Sequence, residues 1–540
     1  MFLVTEKRRI YAACGVLQTP NKYSGKEVVQ VYYSAPSLEL AKPYQELVAF
    51  AKTKELAPKE AQELEICFIL SDMASYNESE ASWVLEAGEY VIRVGNQSRD
   101  TVPAAALVVP SYTVTETCKN LFPLDCELEE IQAEDEASFY EAELKKITVD
   151  PSVIELRKNS YQQGRPELTS NTDKVLTMQD VVDGKATVEE LVAQLTIKEM
   201  ATLCVGSARK MGAIVGNTSH NVPGATGDTS SIVKESRAIK NMVLTDGPAG
   251  LRLQPHFKVD ANGKIMPGGE VSGEVVAEFG EGSDAEGVVD YYQYCTAIPI
   301  GWGLAQSWNT NLVKKVGAMI GGEMELFGID IWLAPAMNIH RNPLCGRNFE
   351  YYSEDPLVSG KMAAAMTKGV QSVSGKGTCI KHFAVNNQEE NRYFTNAHVS
   401  ERALREIYLK GFEITIKESQ PLSIMTSYNL INGIHAANNY DLIQSVARDE
   451  WGFEGVVMTD WYTSQNASMI TGKYESKYPI SSSAGCIFAG NDLQMPGCQI
   501  NVDDIVESVE SGEEKDGYRI TKGDLQYNAA NVVRAALKTM

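Results

Sequence analysis

The sequence has no C-x-x-C pair, no apolar stretch near the roughly 20 residues that a bilayer crossing requires, and no surplus of basic charge. Each absence removes a class of function. The ten cysteines, at Cys14, Cys67, Cys118, Cys126, Cys204, Cys295, Cys345, Cys379, Cys486 and Cys498, lack zinc-like spacing, and several lie in apolar runs, which reads as buried free thiols. Histidine is scarce, six in 540 residues, so the clustered His/Asp ligand set of a metal-dependent hydrolase is missing and no metal or other cofactor is expected. A formal charge of −22 would repel nucleic acid and anionic membranes, and neither is expected as a partner. Met1-Phe2-Leu3-Val4-Thr5-Glu6-Lys7-Arg8-Arg9 has no apolar core of signal-peptide length, so the expected location is cytoplasmic.

What is present is ordinary globular composition, 44% hydrophobic and 22% charged, in a chain too long for one core. Three zones separate by pattern. From about Tyr23 to about Val109 short strand-like runs alternate with turns: Glu27–Tyr33, Leu64–Leu70 and Tyr90–Gly95 predict a small β-sandwich over 23–109. Residues 1–22 form an atypical leading segment, because Arg8–Asn21, with Ala12-Ala13-Cys14-Gly15, reads poorly as an opening strand. Residues 110–186 read as an acidic connector, dense in Glu127, Glu129, Glu130, Glu134, Asp135 and Glu136. From 187 to 540, strand-like segments at Ile329–Ala334, Thr378–Phe383, Ser423–Tyr428 and Gly455–Asp460 alternate with helix-like ones at Asp355–Val373, Ser400–Glu418, Asn438–Trp451 and Asp524–Leu537. Repeated β–α units mean a parallel sheet, open or closed into a barrel.

In such a barrel, chemistry sits where strands end. Val243-Leu244-Thr245-Asp246-Gly247-Pro248 sets a carboxylate on a turn after an apolar strand, and Val456-Val457-Met458-Thr459-Asp460-Trp461 repeats the arrangement. Ile380-Lys381-His382-Phe383 puts two basic side chains into a run that otherwise wants burial. Each has a plainer reading. Asp246 before Gly-Pro is a good turn-former, Lys381 and His382 suit a buried ion pair and a core imidazole, Arg347 can tie down a loop, Asp460 can cap a following helix, and Trp461 can be core. It is their repetition in register that favours a shared pocket for Asp246, Arg347, Lys381 and Asp460.

Read together, Leu244–Arg252, Gly346–Pro356, Lys381–Arg392 and Val457–Trp461 resemble glycoside hydrolase family 3, in its bacterial β-glucosidase branch. The zone with Gly25–Tyr32 and Lys42–Leu47 resembles the fibronectin type III-like module of that family. The resemblance implies a multidomain fold, an all-β fibronectin type III-like sandwich followed by an α/β (β/α)₈ TIM-like barrel. It also implies a retaining hydrolase of terminal non-reducing β-D-glucosyl residues, acting by double displacement. Asp460 would be the nucleophile. Asp246, Arg347, Lys381, His382 and Arg392 would hold the sugar hydroxyls, Tyr428 would lie beside the nucleophile, Trp461 would offer an apolar wall to the sugar, and Arg252 would support Asp246. Arg and Lys charges around Asp460 would favour its ionised state.

A retaining glycosidase needs a second carboxyl about 5–5.5 Å from the nucleophile. In the β-glucosidase branch that acid/base lies on an α/β sandwich domain, which is not found in this sequence. The order here resembles a permuted arrangement with the sandwich missing, as in a truncated product or a two-gene enzyme. The expected partners are a small β-glucoside or oligosaccharide and a separate α/β sandwich chain supplying the acid/base; a homo-oligomer stays open. The N-acetylglucosaminidase branch carries a His after Lys-His, and Ala384-Val385-Asn386-Asn387-Gln388 has none; Glu389 and Glu390 are poor substitutes. The competing readings are a vestigial sugar-binding barrel with little turnover and a β-xylosidase.

Overall fold

Runs of β-branched and aromatic residues build the first of two units, and alternating strands and helices build the second. The computed structural model describes residues 2–6, 9–14, 22–124, 126–129, 143–207, 219–230, 236–263, 265, 286–464, 477–478 and 481–540. Unit 1 comprises Met1–Ser160, Gln306–Asn309 and Val399–Lys410; unit 2 comprises Tyr161–Ala305, Thr310–His398 and Gly411–Met540.

Unit 1 is built on a five-stranded sheet, in spatial order Lys146–Thr148, Thr101–Val109, Gly88–Gly95, Val28–Ser34 and Glu46–Lys52. A four-stranded sheet orders Arg157–Lys158, Thr113–Thr117, Ser82–Leu85 and Ser75–Asn77. Its core gathers Val29, Val31, Tyr33, Leu85, Tyr90, Ile92 and Leu107 from alternate strand positions. Two expectations change here. Arg9–Cys14 is a strand, paired antiparallel with Leu64–Ile69 along its whole length, because that edge supplies the partner the local sequence does not advertise. Among the described residues, the connector expected from residue 110 contributes three strands to unit 1, and from Tyr161 onward it belongs to unit 2. Residues 7–8 and 15–21 of the leading segment, and Glu130, Glu134, Asp135 and Glu136 of the connector, lie outside the described residues.

In unit 2, Gly227–Asp228, Val243–Thr245, Ile331–Trp332, Gly377–Phe383, Ser423–Thr426 and Val456–Met458 are successive neighbours in one sheet. Met458 bridges Leu493, Gln494 bridges Val205, and Ser207 bridges Asp228. The hydrogen bonds Gly206 N to Gln494 O, 2.8 Å, and Ser207 N to Asp228 O, 3.0 Å, return the sheet to its first segment and close it into a ring. Unlike the expected all-parallel repeat, Gly227–Asp228 runs antiparallel to its neighbours. Thr229 locks that reversal, its N–H donating to Met242 O at 3.0 Å and its Oγ1 accepting from Met242 N at 2.8 Å.

Helices Thr310–Phe327 and Pro356–Val370 lie between these strands in sequence, and Gln499–Ser511 and Lys522–Lys538 follow the last of them. Their starts carry the expected signals: Asp355 accepts from Leu357 N and Val358 N, and Thr521 with Asp524 forms a capping box. Leu244, Ile331, Cys379, Met425 and Val456 from the ring pack with Leu191, Met200, Ile505, Leu525 and Val533 from helices. At the starts of two strands sit buried carboxylates. Asp330 accepts from Val243 N at 2.9 Å and Lys240 Nζ at 2.7 Å. Asp492 accepts from Val457 N at 2.8 Å, Arg448 at 2.7 Å and Asn531 at 2.8 Å. The nine cysteines whose side chains are described are free thiols.

Candidate active site

Every expected site residue belongs to unit 2, and the acidic ones stand at the opposite strand ends from Asp330 and Asp492. Asp246 directly follows Val243–Thr245. The turn beyond it needs glycine: Gly247 has φ +117, and a Cβ there would come within 1.9 Å of the Gly250 carbonyl oxygen. Lys381 Nζ donates to Asp246 Oδ1 at 2.7 Å and Arg252 to Oδ2 at 3.0 Å. Lys381 reaches that position from Gly377–Phe383, a strand buried at all seven residues. Buried Lys381 is therefore paired, as charge burial demands. Arg252, about half-exposed, holds Asp246 from the solvent side.

Asp460 follows Val456–Met458. Its Oδ1 accepts from the Trp461 backbone N–H at 2.7 Å, so the carboxylate folds onto its own turn. His382 Nε2 stands 3.7 Å from Asp460 Oδ2, too far for a hydrogen bond. The backbone of His382 is clamped on both sides by the Asn338 amide, at 2.8 Å each way, and its Nδ1 has no hydrogen-bond partner among the described residues. Tyr428 donates to the Trp461 carbonyl at 2.8 Å, with the Arg392 guanidinium over its ring at 4.9 Å. Arg392 is itself held by Glu389 at 2.9 Å, and Arg347 by Glu350.

Burial and charge act on the two carboxylates in opposite balance. For Asp246, burial disfavours the anion, but Lys381 and Arg252 outweigh it and hold the carboxyl well below the usual range. For Asp460, burial wins: its pKa is raised although Arg347, Lys381, the Trp461 N–H and Arg392 all favour the anion. The sequence reading expected those cations to dominate; the desolvation of a residue only 8% exposed exceeds their effect. The same cations, added to burial, push His382 far down, so its imidazole is neutral.

Asp246, Arg252 and Lys381 thus form one contact set, and Asp460, His382, Tyr428, Trp461 and Arg392 another. Arg347 and Lys381 act on Asp460 through their charge. Trp461 is 3% exposed, belongs to the core cluster, and its indole N–H donates to the Thr226 carbonyl at 3.2 Å. Asn338, Glu350, Glu389 and Tyr393, whose ring centroid lies 4.3 Å from that of Tyr428, were not singled out as supports from the sequence. Glu350 and Glu389 were findable, each three residues from the arginine it holds. Asn338 is 44 residues from His382 and had no local signal.

A family model described as Glycosyl hydrolase family 3 N terminal domain matches residues 282–527, and a Fibronectin type III-like domain model matches residues 27–98. The chain carries a glycoside hydrolase family 3 domain. It is 34% identical over 526 residues to a β-glucosidase of Ruminococcus albus, covering 96% of this chain and 49% of the relative. It is 38% identical over 305 residues to an exo-α-(1→6)-L-arabinopyranosidase of Bifidobacterium breve, covering 56% of this chain and 34% of the relative. A β-glucosidase structure from Paenibacillus barengoltzii superposes with TM-score 0.78 at 31% identity, covering 100% of this chain and 54% of that one. The chain thus spans about half the length of the curated relatives it matches over most of its own length.

Proposed function

We propose that unit 2 is the (β/α)₈-type catalytic barrel of a retaining β-glucosidase, with Asp460 as nucleophile. The observation that carries the proposal is that the charges of Arg347, Lys381 and Arg392 act on one buried carboxylate at the strand ends, with His382 3.7 Å from it and Lys381 also bonded to Asp246. Asp246 and Lys381, paired with each other and one side open, have further lone pairs and protons for sugar hydroxyls. His382, neutral and with Nδ1 unpartnered, can accept or donate there. With a sugar so fixed, Asp460 attacks the anomeric carbon: a carbon–oxygen ester bond forms, the glycosidic bond breaks, and the leaving oxygen takes a proton. Water then hydrolyses the ester and regenerates the carboxylate.

The proton donor is assigned to a further α/β sandwich domain or partner chain. Glu350 and Glu389 are each engaged by an arginine, and Asp246, held as an anion by Lys381 and Arg252, makes a poor acid. Aryl glucosides with good leaving groups need that proton least, and its absence costs roughly 10²–10⁴-fold on cellobiose. A 2-fluoro glucoside trap followed by peptide mass spectrometry tests the nucleophile: the label belongs on Asp460, and a label on any other residue refutes the assignment. The arabinopyranosidase relative supports a second specificity. Rates on nitrophenyl β-D-glucoside, β-D-xyloside and α-L-arabinopyranoside decide between them, and binding without turnover on all three favours a vestigial barrel.

A further inference from the structure

Arg392 stands on a turn, not on a strand. Phe394 N and Thr395 N both donate to Asn391 O, at 2.9 and 3.0 Å, and Asn391 itself has φ +52. A long side chain leaving such a turn loses rotamer freedom when it is fixed, so other side chains must hold it. Its guanidinium nevertheless lies over two rings, Tyr428 at 4.9 Å and Tyr393 at 5.6 Å. The ion pair that holds it there is with Glu389 Oε2.

The second oxygen of Glu389 points to the other flank of the site. Oε1 accepts from the Asn386 amide at 3.0 Å, and the same amide nitrogen donates to the Tyr351 hydroxyl at 3.1 Å. Asn386 and Tyr351 are buried, and the Tyr351 ring meets the His382 ring edge to face, centroids 6.3 Å apart and planes at 69°. Contacts therefore leave Asp460 in two directions. One runs through His382, Tyr351 and Asn386, the other through Trp461, Tyr428 and Arg392, and both end on Glu389.

A carboxylate so placed could donate a proton or serve as an anchor. Both oxygens of Glu389 are occupied by donors, which favours the anchor. Each cation whose charge reaches Asp460 has a carboxylate of its own: Arg347 has Glu350, Lys381 has Asp246 and Arg392 has Glu389. Glu389 differs in being tied through Asn386 to the His382 flank as well. We propose that Glu389 is a positioning residue, which holds the Arg392 guanidinium over Tyr428 and joins the two flanks of Asp460. This role rests on the function proposed above and concerns the same site.

The test is a double-mutant cycle of Glu389→Ala, Arg392→Ala and the double variant. It is read as kcat/KM against pH on a nitrophenyl β-D-glucoside, with Glu389→Gln as the conservative variant and thermal melts throughout. The other charged and titratable groups acting on Asp460, namely Arg347, Lys381, His382, Tyr393 and Tyr428, stay in place. Arg392→Ala is expected to lower kcat/KM about 100-fold and Glu389→Ala about tenfold, with the double variant no worse than Arg392→Ala, because Glu389 acts through Arg392. Both alanine variants should move the acid limb of the profile to higher pH, since a lost or displaced guanidinium no longer favours the Asp460 anion. Glu389→Gln, whose amide oxygen still accepts from Arg392, should stay within about threefold of wild type.

Effects that multiply in the double variant overturn the proposal, as does a Glu389→Ala profile with an unmoved acid limb. A carboxylate that only stiffened the turn would lower the melting temperature and leave the limb where it was. Should Glu389→Ala fail to fold, Glu389→Asp, one methylene shorter, takes its place in the cycle with the same expected outcomes. A wild type that does not turn over the aryl glucoside removes the proposed function and this role with it; an active wild type with multiplying effects removes the role alone.

Discussion

Four aspartates divide between the two ends of the ring in unit 2, and they are treated in opposite ways. At the strand starts, Asp330 and Asp492 each accept from the backbone N–H of a neighbouring strand and from a cation, and Asp492 takes a third donor from Asn531. At the strand ends, Asp246 takes two cations but stays part-exposed, while among the described residues Asp460 takes only its neighbour's N–H within hydrogen-bond distance, with an imidazole standing off at 3.7 Å. Burial raises the pKa of both Asp460 and Asp492, so desolvation alone does not separate them. What separates them is whether the protein itself satisfies the carboxylate. A fully bonded buried carboxylate holds strands together; an under-bonded one, whose nearby cations are bonded to other carboxylates, keeps its capacity for a ligand.

The difference can be broken by substitution, and the largest effect is expected at Asp460. Asp460→Asn should lower turnover of an aryl glucoside by at least about 10⁴-fold while leaving the melting temperature nearly unchanged; normal turnover would end the nucleophile assignment. Asp492→Ala should do the reverse, costing about 3–5 kcal/mol of stability in chemical denaturation because buried Arg448 loses its anion. Asp246→Asn lies between the two. Sugar affinity should fall on the order of 10–100-fold, from loss of charged hydrogen bonds, with a smaller stability loss than Asp492→Ala because water reaches the site. Sugar titration and denaturation on the same sample would show whether that ordering holds.

A smaller effect extends the comparison to unit 1. Glu46 is pushed up to about 7 by burial and by the nearby charge of Glu406, with Tyr33, Lys42 and Arg402 opposing. Its folded pKa therefore exceeds its unfolded value. The stability it contributes is present in full below its ordinary value of 4.5 and is lost as pH rises through about 7. Thermal melts of the wild type across that window should fall with rising pH more steeply than those of Glu46→Gln; parallel slopes would show that Glu46 does not control them.

Much of the site was readable because its parts sit where the pattern of the sequence changes. Asp246 and Asp460 each end a short apolar run, and Lys381 and His382 interrupt one, so the strand ends advertise themselves. The supports were not readable to the same degree. Asn338 clamps His382 from another loop, and Thr226 receives the Trp461 indole from 235 residues away. The fold showed the same limit. The Val28–Ser34 and Gly377–Phe383 strands have strong periodicity or burial, whereas Arg157–Lys158 and Gly227–Asp228 are two residues long and have no pattern of their own. Arg9–Cys14 is a strand by virtue of its partner.

By itself the sequence determined which chemical groups stand at the strand ends, since an apolar run followed by a polar turn is a local property. Only the tertiary structure decided how those groups are charged and shared. Lys381 reaches Asp246 across 135 residues, and the balance between burial and cations at Asp460 depends on Arg347, Lys381 and Arg392 arriving from different loops. Electrostatic energies depend on distance and on exclusion of water, and neither is written in the order of residues along a chain.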